Sequence, residues 1–132
     1  MSDRTCIASD RNAPAVGPYS PAVSWGDVIL CSGQIPVSAE AGKIVEGDIA
    51  VQARQALTNL ANLLEAAGSS LAGVLKTTVF LQDMNDFAAM NAVYAEFFPE
   101  APPARSTVQV ARLPLDAKVE VEAIAVKRGG CC

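Results

Sequence analysis

The chain has 132 residues, 51% of them apolar and 18% charged, with a formal net charge of −4, which describes one globular domain over residues 1–132 and excludes a disordered chain. The acidic balance argues against a nucleic-acid partner, whose phosphates require a basic face. No apolar run reaches the ~18 residues of a membrane span, and the opening MSDRTCIASDRN has no apolar stretch of the signal-peptide kind, so the cytoplasm is the expected location.

Residues 9–21, SDRNAPAVGPYSP, are rich in proline and glycine and predict a loop. AVSW and VILCS then flank Gly26-Asp27, which predicts a β-hairpin. Residues 33–47, with Pro36 and three glycines, form a second loop. Asp48 is a plausible N-cap for the first helix. Its apolar residues Ala53, Leu57, Leu60 and Leu64 recur every three or four positions, and Gly68 stands where a helix ends. VLKTTVFLQ, residues 74–82, is rich in β-branched residues and predicts a strand. A second helix follows, capped by Asn85 or Asp86, with Phe87, Met90, Tyr94 and Phe97 on one face and Pro99 as its stop. Two strands, ARSTVQVARL and AKVEVEAIAV, close the chain around Pro114, and residues 129–132 read as a flexible tail.

This order predicts an α+β two-layer domain with both helices on one face of a small sheet. The other face, with candidates Thr78, Phe80, Thr107 and Val110, is too apolar to be left wet. An oligomer that packs these open faces together is therefore expected.

The sequence has no histidine. That removes the commonest general base and metal ligand, and leaves Ser32 without a triad partner. Four cysteines, Cys6, Cys31, Cys131 and Cys132, form no C-x-x-C pair, so no metal and no cofactor is expected. Cys31, inside VILCSG, reads as a small buried residue, and Cys131 and Cys132 as exposed thiols.

PPARSTVQV places a guanidinium, Arg105, at the start of a strand, on one face with Thr107 and Gln109. Its bland reading is a solvated strand end. The rigid Pro102-Pro103 lead, the small or polar neighbours on its face and the acidic VEVEA of the last strand weaken that reading. Glu120 and Glu122 share a face with Ile124 and Val126, so a carboxylate there sits near a wet-to-buried boundary where its pKa rises. A simple hairpin of the last two strands sets Arg105 and Glu120 about 13 Å apart. A ligand bridging the gap or a neighbouring subunit would complete such a site. Tyr19 reads as a ligand contact or a packed loop anchor, Gly33 as an anion-facing N–H or a turn, and Asn91 as a solvated mid-helix residue.

The run PARSTVQVARLPLDAKVEVEA resembles the signature of the Rid family, also called YjgF, and of its RidA branch in particular. NAPAVGPYSPAV, LCSGQIPV and KTTVFLQDMNDFAAMNAVYAEFF agree with it in order and spacing, so the likeness runs from Thr5 to Lys127. The resemblance implies a chorismate-mutase-like fold with a mixed sheet and a homotrimer with clefts between subunits. It also implies cofactor-free hydrolysis of 2-imino acids such as 2-aminoacrylate, released by pyridoxal-phosphate-dependent dehydratases, to 2-keto acids and ammonium. By the same resemblance Arg105 binds the substrate carboxylate and Glu120 serves the attacking water. Tyr19, Ser32, Gly33, Asn91 and Thr107 line the ligand. Many relatives carry cysteine where Thr107 stands, and the GGCC tail is not a family feature. Competing expectations are a non-catalytic sensor of 2-keto acids, a ribonuclease or translation inhibitor as associated with some relatives, and a chaperone-like surface role.

Overall fold

The computed structural model describes residues 4–127. Eight regular elements follow one another: β1 (Arg4–Ile7), β2 (Ala22–Trp25), β3 (Val28–Gln34), α1 (Ile49–Ala66), β4 (Val74–Leu81), α2 (Phe87–Phe97), β5 (Ala104–Gln109) and β6 (Val119–Val126). The strands form one mixed sheet in the order β1-β2-β3-β6-β4-β5. The two helices cover one of its faces, as the resemblance to the chorismate-mutase-like fold implies. Strand β1 was not foreseen, because four mostly exposed residues, RTCI, carry no burial pattern to read.

Local chemistry sets the element ends. Gly26 turns the β2–β3 hairpin at φ +58°, a conformation that costs glycine little. Asp48 caps α1 by accepting from Val51 N at 3.1 Å. Gly68, at φ +82°, lets Ser69 N reach back to Leu64 O at 2.8 Å, which satisfies a carbonyl at the helix end. Helix α2 differs from expectation at its start. A 3-10 turn, Met84–Asp86, precedes it, and the capping carboxylate is Asp83, which accepts from Asn85 N at 2.9 Å, whereas Asp86 makes no side-chain cap.

The core lies between helices and sheet. Leu57, Leu60, Leu63 and Leu64 of α1 and Met90 and Val93 of α2 meet Val79 and Leu81 of β4 and Val119 and Val121 of β6. Each such side chain contributes roughly 1.5–3 kcal/mol relative to exposure. Cys31 is buried there as expected, and burial pushes its thiol up to about 12. Cys131 and Cys132 lie outside the described residues.

Two polar residues of α1 that periodicity passes over fasten the 33–47 loop. Asn59 Nδ2 donates to Ile35 O and Val37 O, both at 3.0 Å. Gln52 donates to Val45 O and accepts from Lys118 N at 2.8 Å. Buried amides are tolerated because both ends are satisfied.

The closing strands do not form the expected hairpin. Helix α2 carries the chain back to the starting end of β4, so β5 pairs with β4 in parallel, with Thr77 beside Arg105. Residues 110–118 then cross the far end of β4. Val110 N binds Leu81 O there, and Gln82 N binds Lys118 O, both at 3.0 Å. Strand β6 therefore enters between β3 and β4, antiparallel to both.

Register assigns the faces. Thr77, Val79 and Leu81 point to the helices, and so do their β5 neighbours Arg105 and Thr107. Thr107 is thus on the helix side, not the open face. Thr78, Phe80, Glu120, Glu122 and Ile124 point the other way. On that open face Trp25, Val28, Leu30 and Ile124 stay 40–62% exposed in adjoining register.

Thr77 Oγ1 and Tyr94 Oη share a buried hydrogen bond of 2.8 Å between β4 and α2. Tyr94→Phe leaves the Thr77 hydroxyl without a partner. We expect a loss of about 1–2 kcal/mol in urea denaturation, with the aromatic ring still in place.

Candidate functional site

The residues singled out in the sequence gather into two groups. The first surrounds Arg105 at the outer edge of the sheet. Its guanidinium carbon lies 4.7 Å from the Tyr94 ring centroid and 5.6 Å from that of Phe87. Such cation–π contacts, worth roughly 0.5–2 kcal/mol, orient the guanidinium without neutralising it. No carboxylate forms an ion pair with Arg105 among the described residues. Asn91 lies on α2 four residues after Phe87 and three before Tyr94, hence on the same flank of the helix. Thr107 follows Arg105 by two on the same strand face. Asn91 Oδ1 and Thr107 Oγ1 are both buried with no hydrogen-bond partner among the described residues. Phe87 and Tyr94 read in sequence as core positions only. The signal that could have marked them is a pair of aromatics on one helix flank beside a strand that carries an unpaired arginine.

The second group surrounds Glu120 on the open face. Burial, and to a lesser degree the neighbouring Glu122, pushes the Glu120 carboxyl above the usual carboxylate range. Gly33 of β3 makes room for it. A Cβ at that position would overlap Glu120 Oε2 and come within 2.6 Å of its carboxyl carbon. The glycine serves close approach, at the point where β3 slips register between Cys31 and Gln34. Ser32 Oγ donates to Ser20 O at 2.7 Å, and Ser32 N to Pro21 O at 2.8 Å. These bonds fasten the GPYSP loop to β3. Tyr19, 54% exposed, lines with Gly33, Ile35, Val37 and Leu115 a groove of about 630 Å³.

The two groups do not meet within one chain. Arg105 aligns with Thr77 and Glu120 with Phe80, on opposite faces of the sheet, with β4 between their strands. The hairpin offset expected from sequence is replaced by separation through the sheet itself.

A weakly paired guanidinium beside unsatisfied polar atoms is suited to a small carboxylate ligand, and a desolvated carboxylate is suited to moving a proton. A family model described as Endoribonuclease L-PSP matches residues 10–127. A 2-iminobutanoate/2-iminopropanoate deaminase of Escherichia coli K12 is 51% identical over 125 residues, covering 92% of this chain and 97% of that protein. A RutC family protein of Pyrococcus horikoshii is 56% identical over 118 residues, covering 89% and 94%. Among solved structures, Escherichia coli TdcF with bound serine superposes with a TM-score of 0.89 at 46% identity, covering 94% and 99%. The chain belongs to the Rid/YjgF family.

Proposed function

We propose that the protein is a 2-iminobutanoate/2-iminopropanoate deaminase, and that it works as a homotrimer with clefts between subunits. The observation that carries this reading is the placement of Arg105 and Glu120 on opposite faces of one sheet. Two copies that apply the open face of one to the outer edge of the other supply both groups to one ligand. The exposed Trp25, Val28, Leu30 and Ile124 favour association through the open face. The naming of the Escherichia coli relative as an imine deaminase supports the chemistry.

The overall reaction is R–C(=NH2+)–COO− plus water to R–CO–COO− plus NH4+. Arg105 holds the carboxylate by two parallel hydrogen bonds and so fixes the neighbouring C=N carbon. Water adds to that carbon while Glu120 takes one of its protons, which gives a neutral carbinolamine. Glu120 returns the proton to nitrogen, ammonia departs, and the hydroxyl proton leaves with it as ammonium. The raised Glu120 pKa makes it a stronger base than an ordinary carboxylate. A protonated imine is already electrophilic, so positioning supplies much of the acceleration. Tyr19, Ser32 and Gly33 bound the cleft on the Glu120 side, and Asn91 and Thr107 on the Arg105 side.

This reading implies a cytoplasmic location, beside dehydratases that release such imines. No described helix is long and apolar enough to cross a membrane. The net charge of −4 and the lack of histidine favour imine hydrolysis over phosphodiester cleavage.

The test generates the imine in the cuvette with a threonine or serine dehydratase, lets semicarbazide compete for it, and follows keto-acid release. Acceleration by the wild type and none by Arg105→Ala is expected. No acceleration by an intact oligomer that still binds 2-oxobutanoate would leave a sensor of 2-keto acids in its place.

A further inference from the structure

The two most exposed large apolar side chains among the described residues are Val16, at 88%, and Leu115, at 69%. They stand far apart in sequence yet line the same groove, with Tyr19, Ile35 and Val37. Leu115 is presented there from a strained backbone. Its φ of +56° and the +57° of Asp116 lie in the left-handed region, which disfavours leucine. The turn is kept by Asp116 N on Leu113 O and Ala117 N on Pro114 O, both at 3.1 Å, and by the Arg112–Asp116 ion pair at 2.9 Å. The other walls are fixed as well. Asn12 Nδ2 donates to Asn59 O at 2.8 Å, and Asn59 Nδ2 donates to Ile35 O and Val37 O. Both loops thus hang from one buried residue of α1, and the groove is preformed.

The groove begins where the Glu120 carboxylate ends. Gly33 lines it, and the space that a Cβ would take at Gly33 is filled by the Glu120 carboxyl. We infer that the groove receives the side chain of the imino acid, and that Leu115 and Val16 make the protein select 2-imino acids whose apolar side chain is longer than ethyl. This rests on the proposed imine hydrolysis and narrows its substrate class. The imine carbon is planar and carries a carboxylate, a nitrogen and a side chain. With the carboxylate on Arg105 of a neighbouring copy and the carbon beside Glu120, the side chain is the substituent left to enter the groove. A methyl or ethyl group leaves most of its 630 Å³ empty. Pockets of roughly 300–1,000 Å³ suit larger ligands. A propyl or butyl chain reaches Val16 and Leu115, which are otherwise wet, and each added methylene is withdrawn from water.

The test runs a chain-length series on the assembled protein. An L-amino-acid oxidase with catalase converts L-2-aminobutanoate, L-norvaline and L-norleucine to imines with ethyl, propyl and butyl side chains. Semicarbazide competes for each imine, and the loss of semicarbazone gives the relative kcat/KM. This is expected to rise about fourfold per methylene, as burial of one CH2 implies, and hence roughly sixteenfold from ethyl to butyl. Leu115→Asn keeps a residue that tolerates a positive φ and removes the apolar wall. Its gain from ethyl to butyl should fall below about fourfold, whereas Leu115→Met should keep the wild-type gain. Light scattering reports the oligomeric state of each variant. A flat series for the wild type overturns the inference, and so does a Leu115→Asn series as steep as that of the wild type. A Leu115→Asn protein that dissociates into smaller species overturns it too, since the groove would then be a contact between copies. Acceleration of the ethyl imine with a flat series defeats the groove assignment alone. No acceleration of any imine by the intact wild-type oligomer defeats the deaminase reading, and the groove assignment falls with it.

Discussion

Arg105→Ala and Glu120→Gln proteins, each strongly impaired alone, are expected to regain activity when they are unfolded together and refolded as mixed assemblies. The two residues lie on opposite faces of the sheet, one register-matched to Thr77 and the other to Phe80. A ligand that needs both must take them from different copies. In an equal mixture a cleft works when the copy presenting Arg105 is the Glu120→Gln variant and the copy presenting Glu120 is the Arg105→Ala variant. About a quarter of the clefts in a closed ring satisfy both conditions. Recovery of roughly that share of wild-type turnover in the dehydratase-coupled assay supports the shared cleft. If the two residues served a ligand from within one chain, every cleft would lack one of them, and the mixture would be as inactive as its parts.

Glu120→Gln is expected to separate activity from stability. Turnover should fall about 10²- to 10³-fold, the usual contribution of a positioned base. Thermal stability should move the other way at neutral pH. The Glu120 pKa is raised in the folded chain, by burial first and Glu122 second. The folded state therefore holds the proton more tightly than the unfolded state does. Its stabilising contribution is complete below the ordinary glutamate pKa of ~4.3 and is lost as the pH rises through the raised value. At pH 7 the charged carboxylate bears a desolvation cost that glutamine does not. The variant should melt above the wild type at pH 7, and the difference should shrink toward pH 4. The wild-type kcat/KM should have an acid limb above pH 4.3, and the residual activity of the variant should lack it. A variant that melts lower at pH 7 would show that the carboxylate is held by a favourable partner and not strained by burial.

Most secondary structure was legible because its signals are local. Asp48, the leucine spacing and Gly68 specify α1 without reference to anything distant. The alternation in VEVEAIAV specifies which residues of β6 enter the core. What was not legible is pairing. Two adjacent apolar runs around Pro114 look like a hairpin, and nothing local says that β4 stands between them. That separation depends on α2 reversing the chain so that β5 runs parallel to β4. The site inherited the error: Arg105 and Glu120 were placed on neighbouring strands, and only the register sets them on opposite faces. Gly33 was read as an anion-facing N–H or a turn for a similar reason. Its purpose is the space that Glu120 occupies, a contact between residues 87 positions apart in sequence. The identity of the candidate residues came from the likeness of whole segments to the Rid family, which periodicity alone does not supply.

The position of β6 in the sheet also shapes how the chain is made. It follows the other described strands and helices in chain order, yet it lies between β3 and β4. Until it appears, β1, β2 and β3 form one fragment and β4 and β5 another, and each exposes an unsatisfied strand edge. The leucines of α1 then lack the part of their packing surface that β6 supplies. Docking of β6 joins contacts between residues far apart in sequence, the kind of event that slows folding. The nascent chain is therefore expected to stay open, and vulnerable to edge-to-edge association, until synthesis has passed Val126. The subunit assembly proposed above would come later still, because the face that carries Glu120 and Ile124 does not exist before that strand is in place.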